Sequence, residues 1–110
     1  MGGAGKSKRR YRRVARRLSA LICVDGEYAN GHVKNLSKRG LFVRSSMAPP
    51  PGVAVSIRFE TITGQKIEVS GTVRWNNSGM VTDPAARGFG VKLDEPSDEY
   101  LAFFTALAAD

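Results

Sequence analysis

Large apolar residues recur at every second position in two neighbouring stretches near the middle of the chain. The first runs from Val53 to Phe59 and the second from Ile67 to Trp75. A period of two places successive side chains on opposite faces and is typical of half-buried strands. The residues Thr63-Gly64-Gln65 between the two stretches form a turn signal, so the pattern predicts an antiparallel hairpin.

Four shorter stretches carry weaker strand patterns: Leu18–Val24, Tyr28–Leu36, Leu41–Arg44 and Phe89–Leu93. Asp25-Gly26 is a turn signal after the first, and the prolines of Pro49-Pro50-Pro51-Gly52 exclude a continuous strand there. We therefore predict an all-β fold of six or seven short antiparallel strands. Their regular spacing favours a small closed barrel, which has no open edge on which to aggregate.

The pattern changes to a helical one at the end of the chain. Ser97 is a good N-cap, and the acidic Asp98 and Glu99 favour the positive end of a helix. Apolar residues from Tyr100 to Ala108 then fall on one helical face. We expect one C-terminal α-helix that packs on the barrel.

The 110 residues suit a single domain, which we assign to residues 9–110, after a Gly- and Lys-rich tail over 1–8 that we expect to be disordered. Residues 1–17 hold eight of the 17 Lys and Arg residues and no acid. The remaining nine basic residues face ten acidic ones, so the net charge of +7 belongs to one flexible basic N-terminal arm. Such an arm binds phosphates of a nucleotide, a nucleic acid or a membrane surface, or is a solvated tail.

Several function classes lack the residues that they need. A lone His32 and a lone Cys23 make neither a zinc site nor an internal disulfide, and we expect Cys23 to be a buried thiol. No nucleophile elbow, Walker loop or dinucleotide fingerprint occurs, so we predict no catalytic residues and no cofactor. No secretory signal or run of about 20 apolar residues is present, and we therefore expect a cytoplasmic protein without membrane insertion.

Two polar motifs stand out against this scaffold. The first is Arg9-Arg10-Tyr11-Arg12-Arg13-Val14, and the second is the turn Asn35-Leu36-Ser37-Lys38-Arg39-Gly40. Guanidinium forks grip phosphate or guanine edges and stack on flat rings, and an Asn amide suits a purine edge. Gly40 allows either a positive φ or a close approach to a ligand. The structural alternative for the turn is that Asn35 and Ser37 only form an Asx- or ST-turn.

Taken together, the two motifs resemble those of the PilZ domain, a bacterial receptor for cyclic di-GMP. That family carries Arg-x-x-x-Arg on an N-terminal arm, then a small apolar residue, and Asp/Asn-x-Ser-x-x-Gly on a later strand turn. Arg9 and Arg13 take the first two positions, since Val14 follows Arg13, although Arg12 and Arg16, or Arg13 and Arg17, have the same spacing. The second motif fits at every specified position, with Asn35 where Asp is common.

The resemblance, which covers about residues 9–108, implies a cyclic di-GMP receptor or adaptor. Arg9, Arg10 and Arg13 would clamp the ligand against Asn35, Ser37 and Gly40, and ordering of the arm would signal to a downstream protein partner. One alternative is a PilZ-like interaction module that binds no ligand. Another is a basic barrel that binds single-stranded nucleic acid through Tyr11, Phe42 and Trp75; the confinement of basic residues to one arm disfavours it.

Overall fold

The computed structural model describes residues 14–109, in which six antiparallel strands close into a barrel. The strands are β1 (Val14–Val24), β2 (Glu27–Leu36), β3 (Gly40–Arg44), β4 (Ala54–Glu60), β5 (Lys66–Asn76) and β6 (Gly88–Leu93). Their order around the barrel is β1-β2-β3-β6-β5-β4. A one-turn 3₁₀ helix (Pro84–Ala86) precedes β6, and the helix α1 (Asp98–Ala108) follows it.

The predicted barrel and the predicted β4–β5 hairpin are confirmed. Ile57 lies opposite Val69, and both point into the core. The first strand begins at Val14, four residues before the predicted Leu18, because Val14 and Ala15 pair with the end of β2. The register then shifts between Ala15 and Leu18, and this irregularity conceals the two-residue period in the sequence.

Helix α1 closes one end of the barrel. Ser97 Oγ accepts a hydrogen bond from the Tyr100 amide at 3.1 Å, so Ser97 is the N-cap that the sequence predicts. Tyr100 and Phe104 point inward and are buried, and the Tyr100 ring meets Phe59 edge-on at 6.3 Å. The helix therefore completes the core at the end of the barrel where β2 ends and β3 begins.

The prediction of a buried Cys23 is wrong, because this thiol is half-buried. Cys23 lies opposite Tyr28 and Ser56, whereas the preceding Ile22 points into the core. The alternation of β1 therefore places Cys23 on the outer face of the barrel. Within residues 14–109, no helix combines the length and the apolar character that crossing a bilayer requires.

Candidate functional site

The turn between β2 and β3 is held in place from several sides. The Ser37 amide donates to the Gly40 carbonyl at 2.8 Å, and Ser37 Oγ accepts a hydrogen bond from the Arg39 amide at 3.4 Å. The hydroxyl of Tyr100 donates to the Ser37 carbonyl at 2.6 Å. Ser37 is only 5% exposed, so its side chain shapes the turn in the way that the structural alternative describes.

Gly40 is needed for packing. It is not among the positive-φ glycines of the described chain, so the expected left-handed conformation is wrong. A Cβ at this position would lie 2.8 Å from the Val91 carbonyl oxygen, because β3 and β6 approach closely here. The alternative expectation, a close approach to a ligand, stays a prediction.

One row of the outer barrel surface crosses four strands beside this turn. Asn35 on β2 lies opposite Phe42 on β3, Phe42 lies opposite Gly90 on β6, and Gly90 lies opposite Trp75 on β5. The rings of Phe42 and Trp75 stack with centroids 5.5 Å apart and planes 18° from parallel. The row therefore places the polar Asn35 beside a flat aromatic pair.

Two glycines make this aromatic pair possible. A Cβ on Gly90 would lie 2.5 Å from Trp75 Nε1, and a Cβ on Gly88 would lie 2.6 Å from Phe42 Cζ. The lack of side chains at these two positions of β6 thus lets both rings lie against the strand. Trp75 remains 47% exposed, so one face of the pair is available to a ligand.

A cleft of about 560 Å³ opens next to the aromatic pair. Its lining residues come from the turn, from β3, from β5 and from β6: Ser37, Arg39, Gly40, Leu41, Arg74, Trp75, Gly90, Val91 and Lys92. Three of them are cationic and exposed, and none is acidic. Among the described residues, the one ion pair joins Arg58 to Glu68, so none of these three cations is paired with a carboxylate. The cleft is therefore positively charged and suits an anion that also carries a flat ring.

The structure brings together part of the predicted site. Ser37 and Gly40 line the cleft, and the half-buried Asn35 lies on the neighbouring outer row. The predicted Arg9, Arg10 and Arg13 lie outside the described residues. The described chain begins at Val14, which pairs with Leu36 immediately before the turn.

Sequence reasoning missed Arg39, Arg74 and Lys92 as site residues. Arg74 and Lys92 occupy the polar phase of their strands, so the alternating pattern does predict that they point outward. That these two strands border the Ser37 turn depends on the barrel order, which no local pattern contains.

A family model described as the PilZ domain matches residues 7–108. The chain belongs to the PilZ domain family. By sequence, no protein of curated function matches it.

Solved structures of PilZ proteins share the fold of this PilZ domain at low sequence identity. The inhibitor of motility MotI/DgrA of Bacillus subtilis has a TM-score of 0.72 at 18% identity, over 92% of this chain and 50% of that one. PlzA of Borreliella burgdorferi, solved in complex with c-di-GMP, has a TM-score of 0.60 at 18% identity, and the match covers 96% of this chain and 42% of PlzA. The PilZ domain of YcgR from Escherichia coli, solved with c-di-GMP, has a TM-score of 0.66 at 14% identity, and the match covers 93% of this chain and 92% of that domain. The chain thus spans half or less of MotI and PlzA but nearly all of the YcgR domain.

Proposed function

We propose that this PilZ domain is a receptor for cyclic di-GMP. The observation that carries the proposal is the positively charged cleft, which adjoins both the exposed Trp75 ring and the Asn35–Gly40 turn. Two PilZ structures of the same fold were solved with this ligand, which supports the assignment.

The chemistry of the cleft matches the chemistry of the ligand. Cyclic di-GMP carries two flat guanines and two phosphates, and an exposed indole offers a guanine a stacking surface. Arg39, Arg74 and Lys92 supply positive charge for the phosphates. Asn35, on the neighbouring row, carries an amide of the kind that recognises a guanine edge. Ser37 and Gly40 act mainly by holding the turn in shape.

The basic arm completes the proposed site. Arg9 and Arg13, with Arg10 between them, grip the phosphates and the guanines from the side opposite the barrel. Because β1 enters the barrel beside Leu36, an arm that precedes Val14 is close enough to reach the cleft. Closure of the arm over the nucleotide creates a surface for a protein partner, and this is the signalling step of the proposal.

Calorimetry with cyclic di-GMP tests the clamp. Each charge-assisted contact that is removed costs roughly 1.5–3 kcal/mol, so Arg9→Ala/Arg13→Ala, which removes two, weakens binding by about a hundredfold or more. The matched control Arg58→Ala/Lys66→Ala also removes two positive charges, on strands β4 and β5 outside the cleft, and retains affinity. Equal affinities for the two double variants would rule out the arm as a clamp.

Tryptophan fluorescence tests the barrel side of the site. Trp75 is the chain's sole tryptophan, so its emission reports on the cleft without interference. Cyclic di-GMP should change this emission with the same Kd that calorimetry gives. A ligand that binds without any change in the emission would exclude stacking on Trp75.

A second candidate function, single-strand binding, is favoured by the Phe42–Trp75 pair, since stacked aromatic rings beside cations also bind bases. Titration with a short oligothymidine at two salt concentrations distinguishes single-strand binding from cyclic di-GMP binding. Micromolar affinity that falls steeply with salt, without response to cyclic di-GMP, would favour nucleic acid.

A further inference from the structure

A second group of positive charges lies on the outer face of β1, β2 and β3. Ser19, His32 and Arg44 are direct neighbours across these three strands. Arg17 and Lys34 are exposed, and both act electrostatically on His32. We call Arg17, His32, Lys34 and Arg44 the histidine face.

A shallow cleft of about 230 Å³ lies on this face. Its lining residues are Ser19, Ala20, Asn30, Gly31, His32 and Arg44, and none of them is acidic. Its floor is closely packed backbone: a Cβ on Gly31 would lie 2.5 Å from the Arg44 carbonyl oxygen and 2.9 Å from the buried Ile22 side chain. A hydroxyl, an amide, an imidazole and a guanidinium therefore surround a space without a carboxylate.

Within residues 14–109, no acidic side chain forms an ion pair with Arg17, His32, Lys34 or Arg44. Arg44 donates to the carbonyl oxygens of Ala85 at 3.3 Å and Pro84 at 3.4 Å, which fixes the side chain but leaves its charge unbalanced. The carboxylate of Asp83, in the same loop, accepts a hydrogen bond from the Ala85 amide.

Within the described part of the chain, the imidazole ring of His32 lacks a hydrogen bond at one of its two nitrogens. Nδ1 of His32 is buried and has no hydrogen-bond partner among residues 14–109. Partial burial, followed by the charges of Arg17, Arg44 and Lys34, lowers the pKa of His32 below its usual value. An anion on this face would offset both the repulsion among the cations and the cost of protonating the ring.

We propose that the histidine face docks a carboxylate-rich segment of a partner protein. The cleft has less than half the volume of the 560 Å³ cleft beside Trp75, and the two share no lining residue. No Phe, Tyr or Trp lines it, so it offers bases no large stacking surface, whereas a carboxylate side chain fits. Three neighbouring strands span about 10 Å, a width that an extended peptide crosses with about three residues. This surface is additional to the nucleotide site and does not depend on it.

Proton NMR of the unmodified protein tests the proposal, because His32 is the sole histidine and its ring protons are resolved from others. The probe is a capped hexaglutamate peptide at low salt. The Debye length is then longer than the roughly 10 Å of 0.1 M salt, so the attraction between peptide and protein is screened less. Binding should shift the His32 resonances and raise the His32 pKa, since the carboxylates favour the protonated ring. Binding should accordingly tighten as the pH falls through the titration of His32.

Two variants of equal net charge separate a specific face from general attraction. Arg17→Gln/Lys34→Gln removes two exposed cations of the histidine face and should weaken peptide binding about fivefold, the effect of two surface ion pairs. Arg58→Gln/Lys66→Gln removes two cations elsewhere and should leave the affinity within error of that of the unmodified protein. Equal weakening in both variants, or no change in the His32 pKa, would overturn the proposal.

Two further measurements identify the occupant. The peptide titration, repeated with saturating cyclic di-GMP, should give the same shifts; displacement of the peptide by the nucleotide would show that the face belongs to the nucleotide site and would overturn the proposal. Oligothymidine that shifts the His32 resonances at a lower concentration than hexaglutamate would likewise overturn it in favour of nucleic acid. If cyclic di-GMP does not bind at all, the peptide result without nucleotide still decides this proposal separately.

Discussion

Tyr100 connects the C-terminal helix to the turn that carries the second sequence motif. Its hydroxyl donates to the Ser37 carbonyl at 2.6 Å across 63 positions of sequence, and the whole side chain is buried. Removal of this hydroxyl by Tyr100→Phe should destabilise the domain without a change in its fold.

The magnitude follows from what the substitution leaves behind. The phenyl ring keeps its edge-on contact with Phe59 at 6.3 Å, so little apolar packing is lost. The buried Ser37 carbonyl, however, loses the hydroxyl donor, and leaving such a group without this partner costs about 1–3 kcal/mol. Since about 1 kcal/mol lowers the Tm of a domain of this size by roughly 4–8 °C, the change is readily measured.

Urea unfolding provides the assay, and the chain supplies a matched control. Tyr28→Phe removes a hydroxyl from a ring that is 68% exposed, and it should change the free energy of unfolding by less than about 0.5 kcal/mol. The reasoning is refuted if Tyr100→Phe is no more destabilising than Tyr28→Phe at an unchanged m-value.

Four other substitutions test the same structure. Gly90→Ala should displace the Trp75 indole and alter its emission at little cost in stability, because the obstructing atoms belong to a half-exposed side chain. Gly71→Ala should lower the free energy of unfolding by about 1–3 kcal/mol in urea titrations, because its Cβ would collide with the Lys92 backbone carbonyl. Ser97→Ala should lower the free energy of unfolding by about 0.5–2 kcal/mol through loss of the N-cap, and a circular dichroism melt that matches the unmodified protein would contradict the role. Because the folded-state pKa of His32 is depressed, the unfolded chain takes up the proton first as the pH falls through 6.5; stability should therefore decrease below that pH, and His32→Gln should flatten this dependence in urea titrations.

Local sequence patterns predicted most of the barrel, because most strands bury one face. The two-residue period from Val53 to Phe59 follows the burial of β4, and the helical period after Ser97 follows the burial of α1. The start of β1 was missed because Val14 and Ala15 are in a strand through pairing with β2, ahead of a register shift. Pairing between distant segments overrides a weak local signal in such places.

The same contrast between local patterns and distant pairing applies to the candidate site. The Asn35–Gly40 turn is contiguous in sequence, so its motif can be recognised directly. Arg74 and Lys92 belong to the site only because β5, β6 and β3 are neighbours in the barrel. Contacts of that kind depend on the closed topology, and no short pattern in the sequence encodes them.

The structural and the functional interpretations of the glycines in β6 are complementary. Both Gly88 and Gly90 pack closely against neighbouring atoms, so that a Cβ at either position would collide with them. At Gly90 the atoms that a Cβ would meet belong to Trp75, whereas at Gly88 the nearest atom is the Val43 carbonyl oxygen and the Phe42 ring comes next. A larger residue at Gly90 would therefore displace the Trp75 ring before it affected the core, because the core face of β6 is formed by Phe89 and Val91. A substitution at Gly90 should therefore act on the Trp75 surface, and a substitution at Phe89 or Val91 should act on the stability of the barrel.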